Sequence, residues 1–433
     1  MRSLLSLAVV VTLGGFLLPA AARSAEAPFP LVDAVECRPR GGLPNVFARL
    51  SAGEEVRVAY IGGSITAANG WRPQTTAWLK QRFPKATIVE TNAAIGGTGS
   101  DLGVFRFGHD VLTHRPHFIF VEFAVNDSGA SPEQIQRCME GMVRQAWAAD
   151  PATDICFVYT LTDGMVPTLQ QGKFVRSASA MERVADHYAI PSIHMGLEVA
   201  RLAKEGTLVL KSPAPKTDAE KAAMKDKILF STDGVHPLAD TGHRLYTEAV
   251  SRSVEQMRGA AAKAGPHALP APLMADNYEK AKLVPLSKAK LSAGWEKLDP
   301  AKHKIAKNFA RFEPEMYMGK PGETIALRFK GTLVGVYDLL GPDCGEVEVK
   351  VDDAKPVPVL RFDPYSTYHR MGSFIAKRDL PDAVHTVEFR VGARVPDKAA
   401  ILAKRNEKID DPKRFEATHW YAGWIMLVGD VAE

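Results

Sequence analysis

The chain has 433 residues, with 54 Lys plus Arg against 50 Asp plus Glu, a formal net charge of +4, 46% hydrophobic residues and 24% charged residues. This length exceeds one ordinary core and predicts two domains, while the composition is that of a packed globular protein and excludes wholesale disorder or collagen-like repeats. A charge so near neutral gives no ground for nucleic-acid binding.

The chain opens with Arg2, an apolar run from Leu4 to Leu18 and the small residues Ala20-Ala21-Ala22. This is the layout of a secretory signal peptide, taken as residues 1–27, with a mature start between Arg23 and Pro28. The run is short for a membrane span, and no other stretch approaches the roughly 20 apolar residues that one needs. The expected location is therefore secreted or periplasmic, with no membrane span once the signal is cleaved. No Cys follows the run, so a lipoprotein anchor is not indicated.

From Val56 onward, short β-branched or aromatic runs alternate with helical patterns. Strands are expected at Val56–Ile61, Thr87–Asn92, Phe118–Phe123, Ile155–Tyr159 and Ser192–His194. Helices are expected at Trp71–Arg82, Val104–Leu112, Pro132–Ala149, Phe174–Tyr188 and Thr241–Arg258. Alternation of this kind predicts an α/β fold with a doubly wound parallel sheet and helices on both faces. The nearly all-apolar runs VRVAYI and FIFVEF suit strands buried on both sides. Residues 208–227, rich in Lys, Ala and Pro, interrupt the pattern. They read either as a solvated loop with a short helix or as a substrate-facing flap.

Near Gly259–Leu273 the text turns Ala/Pro/Gly-rich, which reads as a linker. Beyond it IALRF, LVGVYDL, EVEVKVD, VPVLRF, HTVEFRV and WIMLVGD alternate in the manner of an antiparallel β-sandwich or jelly roll. The expected organisation is an α/β domain at 28–262, a linker at 263–274 and a β-sandwich domain at 275–433. The four cysteines, Cys37, Cys138, Cys156 and Cys344, are spaced too widely for a zinc ribbon. Cys138 and Cys156 fall in a helix and a strand and read as buried free thiols.

Four segments could carry chemistry. Gly62-Gly63-Ser64-Ile65-Thr66 comes after the first strand and puts a serine at the carboxyl edge of the sheet, where open α/β folds place ligands. Asp233-Gly234-Val235-His236 precedes the last helix and offers an imidazole with a carboxylate three residues away, as acyl transfer by serine requires. Asn92-Ala93-Ala94-Ile95-Gly96-Gly97 and Ala124-Val125-Asn126-Asp127 end the second and third strands and offer N–H donors for an oxyanion. Each alone is a common turn. In one parallel sheet, however, all four converge on a single edge.

In this order GGSIT, NAAIGG, AVND and DGVH resemble the SGNH/GDSL-like hydrolases, over about Val56 to Val250. The resemblance implies Ser64 as nucleophile, Asp233 and His236 as the rest of a triad, and an oxyanion hole of the Ser64 and Gly97 amides with Asn126. Gly63 stands where the GDSL form has Asp, and Ala124 where the third block usually has Gly. Gly70-Trp71 after GGSIT, the signal peptide and the added β-domain look more like bacterial carbohydrate acetylesterases. The resemblance therefore implies a serine esterase that needs no cofactor or metal and acts on an acylated polysaccharide or oligosaccharide. The alternatives are a lipid-directed esterase and a non-catalytic carbohydrate-binding protein on the same fold. Oligomeric state is left open.

Other features carry less. His109, His114 and His117 crowd one segment without a compact metal spacing. Arg106, after the Gly97 loop, could steady substrate but is more simply expected in a surface salt bridge. Trp295, Tyr365, Tyr368, Trp420, Tyr421 and Trp424 could stack on sugars but are more simply core.

Overall fold

The computed structural model describes residues 29–260 and 263–433; the signal-peptide segment lies outside them. The first sheet holds β1 (Cys37–Arg38), β2 (Glu55–Gly62), β3 (Thr87–Asn92), β4 (Phe118–Glu122), β5 (Asp154–Tyr159) and β6 (Ser192–His194), in the order β1-β6-β5-β4-β2-β3. All pairings are parallel except the short antiparallel β1 at one edge. Every residue of β4 and β5 is buried, which is why these strands carry unbroken apolar runs. The chain leaves β2 for β3 on one side and then crosses back to β4 on the other. The strand order therefore reverses between β2 and β4, and their carboxyl ends frame the crevice where such sheets bind ligands.

The helices of this unit are α1 (Pro44–Ala52), α2 (Ser64–Ala67), α3 (Trp71–Arg82), α4 (Ser100–Asp110), α5 (Pro132–Ala149), α6 (Val166–Gln170), α7 (Arg176–His187), α8 (Leu197–Lys204), α9 (Asp218–Ala223) and α10 (Gly242–Ala260). α5 shows why they form. Ser131 caps it by accepting from Gln134 N at 3.2 Å, Pro132 occupies its first turn, and Ile135, Cys138, Met139, Met142, Val143 and Ala146 form one buried stripe. α4, α5 and α7 pack in succession on one face, while α3 packs on α10. Right-handed crossovers in opposite directions put these two sets on opposite faces. Residues 208–227 hold β7 (Leu208–Lys211), then α9, whose Thr217 and Glu220 form a capping box; β7 pairs in parallel with β8 (Ile228–Ser231). Part of the stretch expected as a loop is thus a strand. Cys37, Cys138, Cys156 and Cys344 are all free, and the last three are buried.

The C-terminal unit is a ten-stranded antiparallel sheet of β9 (Ala281–Pro285), β10 (Lys290–Leu291), β11 (Glu296–Leu298), β12 (Met316–Gly319), β13 (Thr324–Leu340), β14 (Glu346–Val351), β15 (Val357–Leu360), β16 (Arg370–Lys377), β17 (Ala383–Val391) and β18 (Trp420–Val431). β13 pairs with β18 along one side, and on the other with β17 and then β16. Gly331 and Gly429 face each other where this ladder slips, and a Cβ on either would collide with the partner's backbone. Ile325, Leu327, Phe329, Val347, Val349, Phe389 and Ile425 fill a core of their own. Alternate residues of the same strands, Leu333, Tyr337, Trp424, Met426 and Val428, join the core of the first unit instead. β18 is therefore apolar on both faces because it separates two cores. α4 lies across this junction, with the His109 ring tilted against Trp424 at 5.0 Å between ring centroids. The Pro-rich stretch between the units is tied down as well: His267 Nε2 meets Asp154 Oδ1 at 2.7 Å, and Glu140 accepts from Met274 N at 2.7 Å. Among the described residues no helix is long and apolar enough to cross a membrane.

Candidate active site

Ser64 is the first residue of α2, in the turn that leaves β2. Gly62 and Gly63 precede it because there is no room for side chains: a Cβ at Gly62 would press on Glu122 O, and one at Gly63 would collide with Asn126 Oδ1. The next turn is held from beneath. Glu122, the fully buried last residue of β4, accepts from Thr66 Oγ1 at 2.9 Å and from Thr160 Oγ1 at 2.7 Å. Burial raises its pKa, and the two threonine hydroxyls and the Gly63 backbone only partly offset this.

Facing Ser64 is the turn after β8. Ser64 Oγ lies 2.8 Å from His236 Nε2, and His236 Nδ1 lies 2.7 Å from Asp233 Oδ2. Asp233 is held by its other oxygen, which accepts from Val235 N and His236 N, each at 2.8 Å, and from Ser231 Oγ at 2.9 Å. Burial pushes the Asp233 carboxyl up, but the hydrogen bonds from His236, Val235 and Ser231 outweigh it and hold it well below the usual carboxylate range. Gly234 is required here: its φ is +85°, and a Cβ would meet the Asp163 carboxylate. The side chains of His236 and Asp233 are about half exposed, at 51% and 50%, so the dyad stands at an open surface.

The loop after β3 carries Gly96 and Gly97 beside the serine. The Cβ position of Gly96 is 3.5 Å from Ser64 Cβ, and Gly97, at φ +75°, faces open space. The Ala93 and Ile95 N–H groups donate to Tyr60 O and Gly62 O, at 2.8 and 3.0 Å. Asn126 starts the turn after β4 with its amide against Gly63. Its neighbour Asp127 is buried and accepts from Ser100 N at 2.9 Å, which ties the Asn126 turn to the end of the Gly97 loop. Burial pushes the Asp127 carboxyl up to about 7, against the lowering effect of Ser100. Among the described residues its Oδ2 has no partner. A cavity of about 340 Å³ opens beside it, bordered by Gly97, Asn126, Asp127 and Gln134 on one side and by Ile375 and Arg378 of the C-terminal unit on the other.

The structure thus brings Ser64, Asp233 and His236 into one hydrogen-bonded chain, sets Gly96, the residue before Gly97, beside Ser64, and lays the Asn126 amide against Gly63. Other expectations change. Arg106 is fully buried, pairs with Asp110 at 3.0 Å and donates to Ala93 O, because the second sheet covers a helix face that reads as solvent-exposed in the sequence. Trp71 is core, packed on Tyr60 and Phe120, and its backbone N–H donates to His243 Nδ1 at 3.1 Å. His117 packs against Arg57 and His109 against Asp110, and no group of metal-ligating residues forms among the described residues. Trp420, Tyr421 and Trp424 are buried, while Tyr365 and Tyr368 are exposed. Glu122, Ser231 and Asp163 support the site without a motif that singles them out in the sequence, whereas Asp127 closes the AVND motif. A carboxylate ending the apolar run FIFVE is the one available signal, since isolated buried acids are rare.

Residues 60–245 match the model of the GDSL-like Lipase/Acylhydrolase family, which makes this part of the chain an ester-hydrolysing domain. Two solved structures of a two-domain esterase (CEX) active on acetylated mannans are similar in fold. The one co-crystallised with mannopentaose has 22% identity and a TM-score of 0.68, covering 91% of this chain and 97% of that one. The other has 22% identity, a TM-score of 0.67 and the same coverage. No curated protein matches the chain.

Proposed function

We propose that this chain is an exported serine esterase that removes O-acetyl groups from a polysaccharide or oligosaccharide. The observation that carries this reading is the hydrogen-bonded chain Ser64 Oγ, His236 Nε2, Nδ1, Asp233 Oδ2 at the edge of the β2–β4 crevice. His236 takes the proton of Ser64 as Oγ attacks the acetyl carbonyl, and Asp233 stabilises the imidazolium. The amides of Ser64 and Gly97 and the side chain of Asn126 hold the oxyanion. His236 then protonates the departing sugar oxygen. Water, deprotonated by His236, releases acetate and restores Ser64.

A carbohydrate substrate is favoured by the openness of the dyad, which leaves room for an ester borne on a bulky polymer. The bordering cavity offers Gln134 and Arg378, groups suited to sugar hydroxyls. The two-sheet architecture shared with an esterase active on acetylated mannans supports the same class. The test is acetate release from a panel of acetylated glycans, run beside aryl acetate and aryl octanoate. Release from at least one glycan, with acetate preferred over octanoate, is expected. Octanoate turned over faster would move the substrate to lipids.

A further inference from the structure

β3 is the edge strand of the first sheet, and its last peptide opens onto that edge. Ala93 N–H points inward to Tyr60 O at 2.8 Å, so the trans-planar peptide turns Asn92 C=O outward, away from β2. An outward carbonyl at a sheet edge has no strand to pair with. Here it accepts from the guanidinium of Arg311, a residue of the C-terminal unit. The next carbonyl, Ala93 O, accepts from Arg106. The segment leading to Gly97 is thus fastened by its N–H groups to β2 and by two successive carbonyls to two arginines.

Arg311 is itself fixed by the C-terminal unit. Its guanidinium packs 4.6 Å from the centroid of the Phe312 ring, and Phe312 O accepts from Trp424 Nε1 of β18 at 3.1 Å. A guanidinium suits the task because its donors are rigid and a charged donor strengthens the bond to a carbonyl.

We infer that Arg311 is a positioning residue for the oxyanion loop, so that the C-terminal unit sustains the chemical step as well as bordering the cleft. The inference rests on the esterase reading, in which Gly97 N–H faces the oxyanion. Loss of Arg311 frees the outer anchor of the loop and lets Gly97 drift, while His236 and Asp233, carried by the separate turn after β8, keep their geometry.

The experiment compares full-length wild type, Arg311→Lys, Arg311→Met and Ser64→Ala for kcat and KM on an aryl acetate, with melting temperatures alongside. Arg311→Met should lower kcat about tenfold, less than the roughly 10² lost with a direct oxyanion donor, and leave KM and its acid pH limb unchanged. Arg311→Lys keeps one charged donor and should recover part of the loss. Melting temperatures should match wild type, since Arg311 is exposed. An Arg311→Met enzyme with wild-type kcat overturns the positioning role. So does a loss confined to KM, a loss that tracks a lower melting temperature, or a Lys variant no better than Met. A wild type as inert as Ser64→Ala overturns the esterase reading and this inference with it.

Discussion

Gly63 and Asn126 occupy each other's space: a Cβ on Gly63 would collide with Asn126 Oδ1. This gives a physical meaning to Gly63. Its backbone is ordinary, at φ −87°, so the requirement is steric rather than conformational. Gly63→Ala should therefore fold normally but displace the Asn126 amide. Its kcat on an aryl acetate should fall towards that of Asn126→Ala, about 10² or more below wild type, with KM little changed. Wild-type kcat in Gly63→Ala would show that the Asn126 amide can move without consequence.

The Ser64–His236–Asp233 chain makes a second prediction. An organophosphonate should attach to Ser64, as read by peptide mass, and Ser64→Ala should abolish both labelling and hydrolysis. Asp233→Asn keeps the oxygen that accepts from Val235, His236 and Ser231 but removes the carboxylate facing His236 Nδ1. Hydrolysis should drop on the order of 10³ to 10⁴ with the fold intact. Labelling at another serine, with Ser64→Ala still active, removes the triad assignment.

Two sets of buried groups make stability depend on pH in opposite directions. Burial pushes His243 and His117 down to about 4 and His194 down to about 3. These imidazoles are neutral in the fold, so their contribution is present above about 6.5 and is lost as pH falls from there towards 4. Asp127 is raised to about 7. It favours folding while protonated, fully so below about 4, and that contribution is lost as pH rises through 7. Asp127→Asn keeps an acceptor for Ser100 N without the buried charge. Its melting temperature should gain on wild type steadily between about pH 5 and about pH 8. A constant difference across that range would mean that Asp127 stays ionised in the fold.

α3 and α5 can be bounded from sequence because their ends are marked: Gly70 and Ser131-Pro132 at the starts, Phe83-Pro84 and Asp150-Pro151 at the stops. The four strand-end motifs can be placed on one edge because parallel strands all point the same way. α1 gives little signal because Leu43 supplies no side-chain cap, and β7 because it runs directly into a Pro-rich segment. Arg106 and Arg311 are opaque for another reason. Their partners, Ala93 O and Asn92 O, are backbone atoms, and the Arg311 contact spans 219 residues and depends on how the two sheets pack. Periodicity within one element cannot report a neighbour contributed by another unit.

Asn126 separates a reacting group from a turn former. As an oxyanion donor its amide N–H bond strengthens as charge develops on the carbonyl oxygen, so Asn126→Ala should lower kcat by about 10² to 10³ with little change in KM. Asn126→Asp keeps the shape, but sets a carboxylate against the developing oxyanion, with the Asp127 carboxyl already adjacent. It should be worse than Ala at neutral pH and recover in part at lower pH, where the new carboxylate protonates, for as long as the fold and His236 still function there. A residue that merely starts the turn Asn126–Gly129 predicts the reverse order, because Asp supports such turns and Ala does not. The two variants should be compared for kcat at neutral and mildly acidic pH, with circular dichroism establishing that both are folded. If Asp is better than Ala at pH 7, Asn126 does not donate to the oxyanion, and the hole is left with the Ser64 and Gly97 amides alone.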